Sequence, residues 1–136
     1  MNRTKPIRVL LVDDEEGFLD VLSKRMTRRR FEVMTAPCGG AAIQALKRYD
    51  FDVALVDLKM DDLDGIELLK IFKKMDSNLS VVILTGHGSA AAARDGLALG
   101  AFDYLNKPCT LEDLLDVLYN ASRQTALGRS RAAANG

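Results

Sequence analysis

Five short apolar segments, each followed by an amphipathic segment with helical spacing, constrain the fold of this chain more than any other feature. Short apolar runs that contain β-branched residues and end at polar ones are typical of strands buried on both faces. The amphipathic segments repeat apolar residues three and four positions apart, as helices with one buried face do. Alternating strands and helices require right-handed crossovers, which build a parallel sheet with helices on both faces. The sequence therefore predicts an α/β domain, and this pattern alone leaves the order of the strands open.

The bounds of the predicted elements follow from the ends of these runs. Pro37 and the glycine pair after it are expected to break the chain behind the second strand. Ser89 is a suitable N-cap for an alanine-rich fourth helix that reaches Leu99, and the fifth helix runs from Leu111 to about Leu127. The predicted strands are 7–12, 31–36, 53–57, 81–84 and 102–105. They belong to one predicted domain at 7–127, which follows a polar lead-in at 1–6 and precedes a disordered tail at 128–136.

The composition is that of an ordinary soluble globular domain and excludes several kinds of partner. Hydrophobic residues make up 48% of the chain and charged residues 28%, and 19 basic residues balance 19 acidic ones. This balance gives no overall field that would attract nucleic acid or a membrane surface, and no apolar run approaches the length of a membrane-spanning helix. Cys38 and Cys109 lack metal-binding spacing, and no signal peptide precedes them. We therefore expect a reduced, cytoplasmic setting.

Polar residues stand at the ends of four of the five predicted strands. Asp13 and Asp14 follow the first strand, and Asp57 ends the third. Thr85 follows the fourth strand, and Lys107 stands after the fifth. Taken singly, an aspartate at such a place often caps the next helix, a lysine usually lies at the surface and a threonine often fits by shape. Because parallel strands end at the same edge of a sheet, the convergence of all these residues predicts a site there.

Three carboxylates at one edge need a proton or a cation. Unit charges ~5 Å apart repel by roughly 3 kcal/mol at an effective dielectric constant near 20. Mg²⁺ binds one or two carboxylates together with waters and a phosphate oxygen, and no cluster of histidine and cysteine indicates a softer metal. At this edge the Lys107 ammonium has the chemistry to pair with Asp57 and later with a phosphoryl oxygen, and the Thr85 hydroxyl is able to donate to the same oxygen.

These residues together resemble the receiver domain of two-component response regulators, over nearly the whole chain from Ile7 to about Leu127. The order and spacing of the matching motifs follow that family. Residues 84–88 and 100–104 resemble receivers attached to nitrogen-regulation-type transcription activators. The matching residues are Asp13, Asp14, Asp57, Asp64, Gly65, Thr85, Lys107 and Pro108.

The resemblance implies a flavodoxin-like fold with strand order 2-1-3-4-5. It implies that Asp57 receives a phosphoryl group from the phosphohistidine of a sensor histidine kinase or a histidine phosphotransfer protein. Mg²⁺, or Mn²⁺ in its place, would be held by Asp13, in part by Asp14, by Asp57 and by the backbone carbonyl of Lys59. The implied activity is self-phosphorylation and autodephosphorylation, without turnover of an external substrate.

The resemblance also implies how the signal leaves the site. Lys107 would neutralise the phosphoryl group, Thr85 would move toward it, and Tyr104 would swing inward in the active state. The Lys107–Pro108 bond is typically cis in such domains. The face formed by the fourth helix, the fifth strand and the fifth helix would then control an output domain or a partner protein, or form a phosphorylation-dependent homodimer.

Asp61 is the one departure from the family pattern, since many receivers have proline there. We expect a looser loop after Met60 and more negative charge near the metal, which would alter metal affinity or phosphate lifetime but not abolish the reaction. Lys59 and His87 flank the site where the family tunes hydrolysis. His87 by itself is more typical of a solvated side chain than of a metal ligand or phosphohistidine.

Two other functions stay open at this level. A phosphatase of the haloacid dehalogenase type needs a second aspartate two residues after its nucleophile on the first strand, whereas Glu15 stands two residues after Asp13, and the length leaves no room for a cap domain. A receiver-like binding module that is never phosphorylated usually lacks one of the key residues, and none is missing here. The basic run at 24–30 is more typical of a solvated helix end than of a nucleic-acid site.

Overall fold

A computed structural model describes residues 5–60, 62–86 and 90–135, and these contain five strands that alternate with five helices. Asp61, His87 and the predicted N-cap Ser89 lie outside the described residues, as do residues 1–4 of the predicted lead-in. The elements in chain order are β1 (Ile7–Val12), α1 (Glu16–Thr27), β2 (Phe31–Ala36), α2 (Gly39–Arg48), β3 (Val53–Asp57), α3 (Gly65–Met75), β4 (Ser80–Thr85), α4 (Ala90–Ala98), β5 (Asp103–Asn106) and α5 (Leu111–Asn135).

The five strands form one parallel sheet in the order β2-β1-β3-β4-β5. This order confirms the fold that the family resemblance implied. β1 and β3 are neighbours, and Val12 pairs with Val56 in the residues just before the two acidic strand ends. β4 lies on the other side of β3, with Asp57 opposite Leu84. The carboxyl ends of β1, β3 and β4 therefore lie side by side.

Two apolar layers hold the sheet between its helices. One layer joins alternate strand residues such as Leu10, Val56 and Ile83 to Leu68 and Phe72 of α3. The other layer lies on the opposite face, where the remaining strand residues pack against α1 and α5. β3 is buried along its whole length, because its residues alternate between these two layers.

The glycine pair after β2 belongs to a helix. The glycine pair was expected to break the chain, but α2 begins at Gly39. Cys38 is the N-cap, and its Sγ accepts the Ala41 N–H at 3.4 Å. The N–H groups of both glycines donate to the carboxylate of Asp62. Because Asp62 is distant in sequence, the local pattern does not reveal these bonds.

α5 is longer than predicted, and the expectation of a disordered tail at 128–136 is corrected for residues 128–135. The helix continues past the predicted end near 127 and reaches Asn135. Alanine is the best helix former, and residues 132–134 are alanines. The Arg129 guanidinium also donates to the Phe51 carbonyl at 3.0 Å and to the Asp76 carboxylate at 2.6 Å. This long-range contact anchors the part of the helix that the sequence pattern assigned to a tail.

Gly128 lies within α5 at a close contact with the turn before β4. A Cβ at this position would lie 2.8 Å from the Asn78 Oδ1 atom. Glycine therefore lets the helix approach the turn, instead of ending it. No helix within the described part of the chain is long and apolar enough to cross a membrane.

Candidate functional site

The structure brings the three predicted acidic residues together at the carboxyl ends of β1 and β3. Asp13, Asp14 and Asp57 each offer a carboxylate oxygen within 4.8 Å of the others. Asp13 and Asp57 are buried, with 2% and 8% of their surfaces exposed, whereas Asp14 is exposed. Neither Asp13 nor Asp14 is the N-cap of α1, a position occupied by Glu15. The helix-cap interpretation of the acidic pair is therefore wrong.

Burial and the neighbouring charges make Asp57 an unusually weak acid. Desolvation in the sheet edge, and then the carboxylate of Asp13, raise the pKa of Asp57 from 3.8 to about 6. Lys107 and a hydrogen bond from the Lys59 N–H, 3.3 Å from Oδ1, act in the opposite direction without cancelling this effect. The site therefore lacks sufficient positive charge for its carboxylates, which is the electrostatic condition for binding a cation.

Lys107 lies in the site, but Asp57, the partner that the sequence suggested, is not the nearest carboxylate. Its Nζ is 2.9 Å from Asp13 Oδ2 and 3.1 Å from Glu15 Oε1, and 3.9 Å from Asp57 Oδ2. Burial by itself would lower the pKa of this ammonium, but the hydrogen bonds to Asp13 and Glu15 raise the pKa above its ordinary value. The ring of Phe18 lies on another side, 4.6 Å from Nζ.

Glu15 is a site residue that the sequence analysis did not assign. It belongs to the acidic run that follows β1, and its ion pair with Lys107 distinguishes it from a solvated glutamate. Its side chain remains 66% exposed. Glu15 therefore competes with Asp57 for the ammonium of Lys107 from the rim of the site.

Thr85 ends β4 next to the strand that carries Asp57, and Tyr104 lies on the neighbouring strand β5. Thr85 is buried, and its hydroxyl donates to the Gly86 carbonyl at 3.0 Å. Its own carbonyl accepts the Lys107 N–H at 2.7 Å, which ties the ends of β4 and β5 together. Tyr104 on β5 is half-buried and packs against the apolar layer that contains α3. The Lys107–Pro108 bond that follows β5 is cis.

The backbone just after Asp57 is held by close packing of α3. The Gly65 N–H donates to the Leu58 carbonyl at 3.0 Å. A Cβ at position 65 would lie 2.7 Å from both the Asp57 carbonyl oxygen and the Leu58 Cα, so only glycine fits without a backbone shift. Asp64 caps α3 by accepting the Ile66 N–H at 2.7 Å. The Asp64 and Gly65 pair therefore fixes the backbone at Asp57 and Leu58.

The donor set fits a hard divalent cation. All three clustered side chains offer carboxylate oxygens, and neither histidine nor cysteine belongs to the cluster among the described residues. Mg²⁺ prefers oxygen ligands and takes one or two carboxylates together with waters. Such an ion would also offset the burial and the repulsion from Asp13 that raise the pKa of Asp57.

Comparisons with known proteins agree with this arrangement. Residues 9–119 match the family model described as the response regulator receiver domain. A solved structure of a response regulator receiver domain protein from Clostridium thermocellum superposes with a TM-score of 0.85 at 32% sequence identity. The match covers 89% of this chain and 98% of that one.

Curated relatives include transcription regulators. The chain is 36% identical over 122 residues to the transcriptional regulatory protein GlrR of Escherichia coli K12, and 35% identical over 113 residues to the DNA-binding transcriptional regulator NtrC of Proteus hauseri. These matches cover 90% and 83% of this chain but 28% and 24% of the relatives. The chain thus spans about a quarter of the length of these regulators, and the similarity to NtrC confirms the predicted resemblance to nitrogen-regulation-type receivers.

Proposed function

The chain belongs to the response regulator receiver domain family, and from this premise we propose that Asp57 accepts a phosphoryl group from the phosphohistidine of a sensor histidine kinase or a histidine phosphotransfer protein. The observation that carries the proposal is the position of Asp57. It is a buried carboxylate beside two others, with one ammonium 3.9 Å away. Phosphoryl transfer requires positioning and charge neutralisation more than covalent assistance, and this site is built to provide both.

The transfer exchanges one bond for another. An Oδ atom of Asp57 attacks the phosphorus, the bond between phosphorus and the histidine nitrogen breaks, and the departing imidazole nitrogen keeps the electron pair and takes up a proton. The product is an acyl phosphate on Asp57. Asp57 must be deprotonated to attack, and its pKa of about 6 leaves most of it ionised at neutral pH.

The neighbouring residues hold the charge that this reaction brings in. Asp13, Asp57 and in part Asp14, together with the backbone carbonyl of Lys59, would bind Mg²⁺ or Mn²⁺, which neutralises phosphoryl oxygens when bound. The Lys107 ammonium is the protein's own cation within reach of the same group, at 3.9 Å from Asp57 Oδ2. The phosphoryl group adds roughly two negative charges, so Lys107 moves from Asp13 and Glu15 toward it.

Phosphorylation then changes the side-chain positions of Thr85 on β4 and Tyr104 on β5. The Thr85 hydroxyl leaves the Gly86 carbonyl, which it contacts at 3.0 Å, and donates to a phosphoryl oxygen. The half-buried Tyr104 turns inward as Thr85 moves. Leu97, Leu99 and Phe102 near the end of α4 already expose 38%, 44% and 36% of their surfaces. These apolar groups support a role of the α4–β5–α5 face in binding an output domain, a partner protein or a second phosphorylated copy.

The relatives support a role in transcription control. GlrR and NtrC are transcription regulators, and this chain matches about a quarter of each. We assign the receiver no direct contact with nucleic acid or membrane, and we place it in the cytoplasm, where such regulators act. Turnover of an external substrate is not part of the proposed activity, which consists of self-phosphorylation and autodephosphorylation.

Acetyl phosphate tests the proposal without a cognate kinase. Wild-type protein and Asp57→Asn are incubated with acetyl phosphate, with Mg²⁺ or with a chelator, and their intact masses are measured. The proposal predicts a gain of one phosphoryl group in the wild type with Mg²⁺ and in neither control. A wild type that gains no phosphoryl group supports a binding module, and steady release of phosphate from small phosphoesters supports a phosphatase.

A further inference from the structure

Asp62 links the connection between β3 and α3 to a second helix. Its Oδ1 accepts the Gly39 N–H at 2.9 Å, and its Oδ2 accepts the Gly40 N–H at 3.0 Å. Both amides lie in the first turn of α2, where backbone N–H groups have no partner within the helix. These two bonds hold the pKa of Asp62 below its ordinary range, so its carboxylate stays charged as it caps the helix.

A packing contact next to Asp62 reinforces this link. A Cβ on Gly39 would lie 2.8 Å from the Leu63 Cβ and 2.9 Å from its Cδ2. The Leu63 side chain therefore lies directly on the first turn of α2, which is possible because position 39 is glycine. Asp62 and Leu63 together hold the middle of the connection against α2.

The same connection begins at the proposed reaction site. Lys59 is the second residue after Asp57, and its N–H lies 3.3 Å from Asp57 Oδ1. The other end of the connection is fixed by Gly65, which packs on the backbone of Asp57 and Leu58. Among the described residues between Lys59 and Asp64, which caps α3, the hydrogen bonds to another element are those of Asp62 to α2. The connection that leaves the site at Lys59 is therefore held to α2 three residues farther along the chain.

We propose that Asp62 is a positioning residue for the metal and phosphoryl site: by capping α2 it holds Lys59 in the orientation that Asp57 and the cation require. This inference rests on the proposed function. It also explains why the carboxylate of Asp62 does not join the acidic cluster, which consists of Asp13, Asp14 and Asp57 among the described residues. Asp62 itself touches neither the reacting carboxylate nor the cation.

The test compares Asp62→Ala and Asp62→Asn with Asp116→Ala, which removes an exposed carboxylate from α5. Three quantities are measured: amide hydrogen exchange at Gly39, Gly40 and Lys59, the Mg²⁺ dissociation constant by calorimetry without phosphodonor, and the rate of phosphorylation by acetyl phosphate against Mg²⁺ concentration. The asparagine variant keeps one acceptor oxygen, so it serves as a milder change if the alanine variant unfolds.

We expect Asp62→Ala to speed exchange at all three amides and to raise the Mg²⁺ dissociation constant about tenfold, the smaller of the losses seen when a group that orients a metal ligand is removed. Excess Mg²⁺ should restore most of the phosphorylation rate, Asp62→Asn should be intermediate, and Asp116→Ala should match the wild type. The proposal is overturned if exchange at Gly39 and Gly40 accelerates while Mg²⁺ affinity stays unchanged. If the wild type binds Mg²⁺ but is never phosphorylated, the proposed function fails, and the Mg²⁺ affinities still decide the role of Asp62.

Discussion

Replacing Asp57 by asparagine should stabilise the metal-free protein at pH 7.5, although it removes the proposed reactive group. Burial and the Asp13 carboxylate raise the pKa of Asp57 from 3.8 to about 6, so holding this group ionised costs folding free energy. The difference between the two pKa values corresponds to roughly 3 kcal/mol, at about 1.4 kcal/mol for each tenfold change in proton affinity. We expect the variant to gain about 1–3 kcal/mol of unfolding free energy, since its amide oxygen still accepts the Lys59 N–H.

The pH dependence gives the sign of this effect. Asp57 binds its proton more tightly in the folded than in the unfolded protein, so the wild type loses stability as the pH rises from 3.8 toward about 6. The loss is complete above a pH of about 6 and absent below 3.8, where both states are protonated. The stabilisation by asparagine should therefore be largest above neutrality and should disappear at about pH 4.

Urea unfolding followed by circular dichroism measures the effect, with a chelator present and at several pH values between about 4 and 8. Asp116→Asn, which neutralises an exposed carboxylate on α5, is the matched control and should change stability little at any pH. Saturating Mg²⁺ should stabilise the wild type more than Asp57→Asn and so reduce the difference. A metal-free variant that is less stable than the wild type at pH 7.5 would refute this prediction, and so would a difference in stability that does not depend on pH.

Three further substitutions test other contacts. Gly65→Ala would place a Cβ 2.7 Å from the β3 backbone and should cost about 1–3 kcal/mol in urea unfolding, whereas an unchanged midpoint would refute the close packing. Arg129→Gln removes the 2.6 Å contact with Asp76 and should speed amide exchange beyond residue 129 of α5, and unaltered exchange there would show that the helix needs no anchor. Glu15→Gln releases one partner of Lys107, and since an exposed pair is worth at most about 1 kcal/mol, phosphorylation by acetyl phosphate should accelerate up to about fivefold. A slower reaction in that variant would show that Glu15 assists Lys107 instead of competing for it.

The elements of the fold were predictable because the local pattern and the long-range constraint agree. The run at 53–57 is apolar up to Asp57, and β3 has these bounds because both faces of that strand are covered. Because the strands are parallel, Asp13 and Asp57 end at the same edge of the sheet, and the strand order implied by the family resemblance makes them neighbours there. The start of α2 was not predictable from its own residues, because the first turn at Gly39 is completed by the carboxylate of Asp62.

The contacts that the sequence did not reveal depend on tertiary structure. Lys107 was expected to face Asp57, but a long flexible side chain takes the partners with the best geometry, which here are Asp13 and Glu15. The last turns of α5 consist of small and polar residues and were therefore predicted to be a tail. Their anchor, Arg129, bonds to residues in the turns before β3 and β4, which the local sequence does not show. In both cases a charged group pairs with a residue that is distant along the chain, and the periodicity of apolar residues does not predict such a pair.

Locating the phosphoryl group on the chain tests whether Asp57 is the acceptor. An acyl phosphate of aspartate is reduced by borohydride to homoserine, so protein treated with acetyl phosphate and then with borohydride carries a permanent mark at the acceptor. Tandem mass spectrometry of the digested protein should find homoserine at position 57, only when Mg²⁺ and acetyl phosphate are both present. Homoserine at Asp13 or Asp14, or equal conversion of Asp57 in the presence of a chelator, would contradict the account of a cation-dependent phosphoacceptor at the end of β3.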